Sequence, residues 1–169
     1  LDWLKRVGLP EPERRIDSYP FQLSGGQKQR VMIAIALAGE PDIIIADEPT
    51  TALDVTIQKQ ILDLLVELQR TQGTAMLLIT HDLGIVAQVA QRVALMYAGQ
   101  IIAVADTNEH FARPLHPYTR ALLSAVPKTT STGERRRIVL KGDVPSPIHR
   151  PAGCHFHTNA PANHGFAHN

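Results

Sequence analysis

Three short runs hold the residues most capable of chemistry. Ile43-Ile44-Ile45-Ala46-Asp47-Glu48-Pro49 is an apolar run ending in two adjacent carboxylates. Open α/β sheets bind ligands at the carboxyl ends of their strands. Asp47 is therefore placed to hold Mg²⁺, through water, as hard cations beside phosphates usually require. Glu48, one residue on, points elsewhere and is suited to take a proton from an attacking water. In Leu23-Ser24-Gly25-Gly26-Gln27, an N-cap serine precedes two glycines. A helix start of that kind has unpaired amides and a partial positive charge, so a phosphate can sit there. Thr80-His81-Asp82 closes a second apolar run, and a histidine there reaches the same sheet edge and can hydrogen-bond a terminal phosphate. Asp54 is placed to cap the helix that follows it. Each run also has a plainer reading: a glycine-containing cap without ligand, two acids ending a strand, a histidine in a loop. Taken singly, the strand-end acids and the histidine more often mean no more than that.

The elements that must position these residues follow from periodicity and punctuation. Residues 1–9 read as a short helix ended by Gly8 and Pro10, and a polar connector closes at Pro20. Ser24 opens a helix over 25–37, stopped by Gly39 and Pro41. The run 43–46 has the continuous apolar pattern of a strand covered on both faces. Residues 55–72 form the clearest helix: Ile57, Ile61, Leu64, Leu65 and Leu68 recur at three- and four-residue spacing before Gly73. A second buried strand (75–80), a helix (82 to about 91) and a third strand (92–97) follow. Ala98-Gly99 predicts a tight hairpin turn into a strand at 100–105, and short helices are expected near 108–112 and 118–126. Strand and helix alternate up to Tyr97, which predicts an α/β fold with a mostly parallel sheet flanked by helices.

Composition sets the outer limits. The 169 residues are 44% hydrophobic and 20% charged, enough for a globular core. Seventeen basic against sixteen acidic residues leave a net charge of +1, so there is no whole-protein field to steer nucleic acid, and any anion site is local. Cys154 is the single cysteine, which excludes an internal disulfide. No apolar run approaches the ~20 residues of a spanning helix, and the first residues lack signal-peptide order. With a first residue other than Met, the sequence reads as soluble, intracellular and part of a longer chain.

Order and spacing together go further than any single run. The chain resembles the nucleotide-binding subunit of ATP-binding-cassette (ABC) transporters. Leu23 to Gln27 matches the signature motif, Ile43 to Asp47 Walker B, Glu48 the catalytic glutamate, Ala52-Leu53-Asp54 the D-loop and His81 the switch histidine. Tyr19-Pro20-Phe21-Gln22, Met96-Tyr97-Ala98-Gly99 and His116-Pro117-Tyr118-Thr119-Arg120-Ala121-Leu122-Leu123 are similar to the oligopeptide/dipeptide importer branch. Gly142-Asp143-Val144-Pro145-Ser146-Pro147 resembles the C-terminal extension of that branch.

The resemblance implies an incomplete P-loop NTPase fold. Residues 1–40 would be the end of the helical signature subdomain, 41–126 the C-terminal half of the ATPase core, and 127–169 a partly disordered extension. It implies ATP and Mg²⁺ as ligands, with Ser24, Gly25, Gly26, Gln27 and Asp54 on the nucleotide, Asp47 on the metal, and Glu48 and His81 catalytic. It implies a second ATPase subunit, identical or not, transmembrane permease subunits and, indirectly, an extracytoplasmic solute-binding protein, with no nucleic acid. The location implied is peripheral, at the cytoplasmic face of the inner membrane. The other readings are a soluble ABC-type ATPase acting on nucleic acid or ribosomes, and a non-catalytic half-cassette that serves as an interaction module. The stretch from Tyr97 onward separates them, because it matches the importers.

Two departures from the family pattern shape the expectations. No Gly-x-x-x-x-Gly-Lys-[Ser/Thr] occurs, and the glutamine loop is absent with it, so the lysine and hydroxyl that wrap the phosphates are missing. In the tail, Cys154-His155-Phe156-His157-Thr158-Asn159-Ala160-Pro161 resembles a Cys-x-Phe-x-x-Arg-Cys-Pro segment that holds an iron–sulfur cluster in some relatives. Ala160 replaces the second cysteine, so one chain cannot supply four thiolates. Cys154, His155, His157, His164 and His168 match no standard zinc spacing, and a solvated loose end is expected instead. Arg135 to Arg137 reads as a solvated loop, with phospholipid or nucleic-acid contact as a second reading. The 169-residue chain alone is expected neither to hydrolyse ATP nor to bind Mg-ATP at micromolar affinity. Equilibrium dialysis checks this, and saturable micromolar binding would contradict it.

Overall fold

The computed structural model describes residues 1–126, 137–140, 142–146, 148 and 151–159. The chain divides into two compact units, Leu1–His81 and Asp82–Asn169.

In the first unit, α1 (Asp2–Arg6), α2 (Pro12–Arg15) and a 3-10 turn (Pro20–Gln22) lead to α3 (Gly25–Leu37), β1 (Ile43–Asp47), α4 (Val55–Gln72) and β2 (Ala75–Ile79). The short helix α2 falls inside the stretch expected as a connector, begun by Pro12 at its first turn. α3 and α4 have the predicted limits, and Gly73 ends α4 in the left-handed conformation. Ile33, Ala34 and Leu37 of α3 meet Ile61, Leu64, Leu65 and Leu68 of α4, and Val7 and Leu9 complete this core. The Arg30 guanidinium ties the helices to the entry loop, donating to the Val7 carbonyl and, at 3.3 Å, to Gln60 Oε1.

β1 and β2 pair in parallel, with Asp47 opposite Ile79. Ile44 and Met76 face the helical core, whereas Ile43, Ile45, Leu77 and Ile79 are exposed. The expectation of two covered faces is thus corrected. A continuous apolar run marks strands whose two faces are both apolar, and α3 and α4 cover only one.

The second unit holds α5 (Leu83–Val89), β3 (Arg92–Tyr97), β4 (Gln100–Asp106), α6 (Thr107–Ala112) and α7 (Pro117–Ala125). β3 and β4 form an antiparallel hairpin with an irregularity at Leu95/Met96. Ala98 and Gly99 turn it with φ of 46° and 75°, the two left-handed residues of a type I′ turn. The importer-like block has a local account. His116 caps α7, its Nδ1 accepting from the Tyr118 N–H at 3.1 Å, and Pro117 occupies the first turn. Arg120 Nε donates to the Pro114 carbonyl at 3.0 Å.

Residues 151–159 are not the loose end expected. Phe156 is buried against Tyr97 and Ala98, with Tyr118 and Leu140 around it. Asn159 accepts from the Tyr97 hydroxyl at 2.8 Å and donates to the Asp143 carbonyl at 3.1 Å. Phe156 supplies the apolar burial and Asn159 the hydrogen bonds that seat this segment. Among the described residues no cluster of three or more His, Cys, Asp or Glu is arranged to hold a metal. His157 Nδ1 lies instead 2.7 Å from the Cys154 carbonyl. His164, His168, Arg135 and Arg136 lie outside the described residues.

α3 crosses α4 closely at Gly26, where a Cβ would stand 2.7 Å from Ile57 Cγ2. Gly26→Ala gains about 1 kcal/mol of helix propensity but forces an overlap of the kind that costs about 1–3 kcal/mol. We expect a net loss of up to about 2 kcal/mol in urea unfolding, recovered in part by adding Ile57→Ala.

Candidate functional site

The site is built where the two parallel strands end. Glu48 follows β1 directly, and its N–H donates to the Ile79 carbonyl at 2.9 Å, extending the sheet ladder by one bond. The chain then turns sharply. Glu48 has φ of 46° and Ala52 of 63°, two non-glycine residues in the left-handed region, at a cost of about 1–2 kcal/mol each. Short bonds keep the loop in that shape: the Thr51 N–H donates to the Glu48 carbonyl at 3.2 Å, and the Leu53 N–H to the Thr50 carbonyl at 3.2 Å. Thr50 itself is buried.

Both oxygens of the Glu48 carboxylate are engaged. Oε1 lies 2.7 Å from His81 Nδ1, and Oε2 accepts from the Thr51 hydroxyl at 2.9 Å. The hydrogen bond from His81, with that from Thr51 next, holds the Glu48 carboxyl below its ordinary value of 4.5. His81 is itself largely exposed, with 84% of its side chain open to solvent. Asp47, the last residue of β1, is exposed beside this pair. One exposed carboxylate suits a Mg²⁺ ion that keeps most of its waters and takes its remaining ligands from a phosphate chain.

Ser24 and Gln27 hold one another in a capping box. The Gln27 N–H donates to Ser24 Oγ at 3.3 Å, and the Ser24 N–H to Gln27 Oε1 at 2.9 Å. The first two amides of α3, those of Gly25 and Gly26, have no carbonyl one turn back within the helix. Asp54 caps α4, accepting from the Ile57 N–H at 3.0 Å. The two capped starts are neighbours, since a Cβ on Gly25 would come 3.2 Å from Leu53 Cδ2. Glu48 and His81 are thus brought into contact with Asp47 beside them, while Ser24 to Gln27 and Asp54 form a second group at two helix starts. Thr51, absent from the expected set, belongs to the first group. The spacing Glu48-x-x-Thr51 across a turn was the signal for it, because a hydroxyl three residues on can reach back to a carboxylate.

The arrangement offers an ionised carboxylate fixed at a sheet edge, an exposed imidazole against it, and unpaired amides at a helix start. Such a set can accept a proton from water and contact phosphate oxygens.

Residues 1–51 match the ABC transporter family, and residues 103–164 match the oligopeptide/dipeptide transporter C-terminal region. The first stretch is similar to the ABC transporter family and the second to its oligopeptide/dipeptide branch. The chain is 53% identical over 161 residues to the dipeptide transport ATP-binding protein DppD of Haemophilus influenzae, covering 95% of this chain and 48% of that protein. It is 56% identical over 143 residues to the oligopeptide transport ATP-binding protein OppD of Lactococcus lactis subsp. cremoris, covering 85% and 42%. The chain therefore spans about half the length of the curated relatives it matches. Among solved structures, a dimeric post-hydrolysis state of the ATP-binding cassette MJ0796 bound to ADP and Pi is similar, with a TM-score of 0.55 and 38% identity. The likeness covers 63% of this chain and 44% of that one. The fold is that of ABC ATPase cassettes, a P-loop NTPase fold, over part of its extent.

The lowered Glu48 pKa has a definite sign. The contribution of the Glu48–His81 contact is present above the ordinary value of 4.5 and is lost as pH falls through the lowered folded value. NMR titration of the Glu48 side-chain carboxyl carbon is expected to give a midpoint below 4.5, moved upward by His81→Ala. A midpoint that ignores the histidine would contradict the contact.

Proposed function

We propose that this chain is the ATP-binding and ATP-hydrolysing part of an ABC importer subunit for dipeptides, oligopeptides or related small solutes. The observation that carries this reading is the 2.7 Å contact between Glu48 and His81 at the ends of two parallel strands, directly after Asp47. The names of the relatives, dipeptide and oligopeptide transport ATP-binding proteins, support the substrate class.

In this reading Glu48 is the general base that accepts a proton from the attacking water. His81 contacts the γ-phosphate through Nε2, the ring nitrogen that does not face Glu48, and responds to its loss. Asp47 would hold Mg²⁺ through water, and the bound ion would supply charge neutralisation for the phosphates. Ser24, Gly25, Gly26 and Gln27 present the start of α3 to a nucleotide held by a second ATPase subunit, identical or not, with Asp54 at the adjoining helix start. The chain's contribution is positioning and charge stabilisation. Residues 1–40 serve as the end of the signature subdomain, 41–126 as half of the ATPase core and 127–169 as the importer-type extension.

Two such subunits closing on ATP and parting after hydrolysis would bias membrane permease subunits between states, with a solute-binding protein delivering the cargo. The subunit would sit peripherally at the cytoplasmic face of the inner membrane. Among the described residues no helix is long and apolar enough to cross a membrane.

The test is Glu48→Gln in a full-length version that carries the phosphate-binding loop. ATP affinity is expected to hold while turnover falls by about 10²–10⁴-fold, the range for losing a general base. Undiminished hydrolysis would remove Glu48 from that role.

A further inference from the structure

A glutamate has three rotatable side-chain bonds, and Glu48 keeps 37% of its side chain exposed, so surrounding bulk does not fix its carboxylate. The specific contacts do. His81 meets Oε1, and the Thr51 hydroxyl donates to Oε2 at 2.9 Å. Thr51 is well placed to act as a fixed point. Its own N–H closes the turn onto the Glu48 carbonyl at 3.2 Å, its neighbour Thr50 is buried, and the following bond from Leu53 N–H to the Thr50 carbonyl locks the loop. The hydroxyl therefore sits on a short, restrained tether three residues from the carboxylate it serves. As a donor it favours the ionised carboxylate over the protonated acid, which keeps an acceptor ready for a proton.

We propose that Thr51 is a positioning residue for the general base, its hydroxyl fixing Oε2 of Glu48 so that Oε1 is presented at the sheet edge against His81. The inference rests on the reading of Glu48 as the base, but the restraint itself is a property of this chain. Threonine and serine supply the hydroxyl, whereas valine keeps the shape of threonine without it, so the three residues separate the hydrogen bond from packing.

The experiment compares Thr51→Val and Thr51→Ser in the 169-residue chain by the side-chain scalar couplings of Glu48, which read its rotamer, with the amide spectrum reporting the fold. The expected result is one fixed Glu48 rotamer in the parent and in Thr51→Ser, and rotamer-averaged couplings in Thr51→Val. Unchanged couplings in Thr51→Val, or equal averaging in both variants, overturn the proposal. Should Thr51→Val lose its native amide spectrum, Thr51→Ala takes its place under the same criteria. In the assembled ATPase, Thr51→Val is expected to lower kcat by about 2- to 10-fold, the worth of one such hydrogen bond. It should also move the acid limb of the pH–rate profile upward, with KM for ATP unchanged and Thr51→Ser restoring the parent profile. If the Glu48 rotamer responds to Thr51 but Glu48→Gln leaves turnover intact, the reading of Glu48 as base has failed and not the restraint.

Discussion

The hold on Glu48 organises the first unit of this chain. Its amide continues the β1–β2 ladder, its carbonyl closes the turn onto Thr51, and its two carboxylate oxygens face His81 and Thr51. One residue thus joins the ends of two strands that are far apart in sequence and connected only through α4. A left-handed glutamate is a costly choice where a glycine would be relaxed. It persists because a glycine could supply neither carboxylate oxygen. Strain at Glu48 and Ala52 is offset by the loop's own bonds and by burial of Thr50 beneath it.

The second constraint is the close approach of α3 and α4. The glycines after Ser24 suit a helix start that faces a ligand, and the same glycines are what permit Ile57 and Leu53 to lie against that start. The two demands fall on the same atoms. A side chain at Gly26 would disturb the packing beside the Asp54 cap as well as the amides of the cap at Ser24. This coupling places α3 and the loop after β1 in one mechanical unit, with Ser24–Gln27 and Asp54–Ile57 as paired caps.

Much of this was legible in the residues. The limits of α3 and α4 follow from a capping serine, a capping aspartate and a stop glycine, each acting through local hydrogen bonds or a positive φ. The hairpin at Ala98-Gly99 and the meeting of Glu48 with His81 were equally readable, the first from turn chemistry and the second from the ends of two apolar runs. Three features were not. The helix α2 is too short for periodicity to register. The open face of β1 and β2 depends on which helices arrive to cover it, which no strand pattern states. The seat of Phe156 is a contact across dozens of residues, and only the ring itself hinted that the segment would not stay in water.

That last contact has a temporal side. Tyr97 reaches Asn159 across 62 positions of sequence, while the hairpin that carries Tyr97 closes within itself in microseconds. At ribosomal speeds of about 5–20 residues per second, roughly 3–12 s separate the synthesis of the two partners. For that interval Tyr97 lacks its contacts with Phe156 and Asn159. The second unit therefore draws on two kinds of contact, a local set available during elongation and a long-range set that needs Phe156 and Asn159 to have emerged.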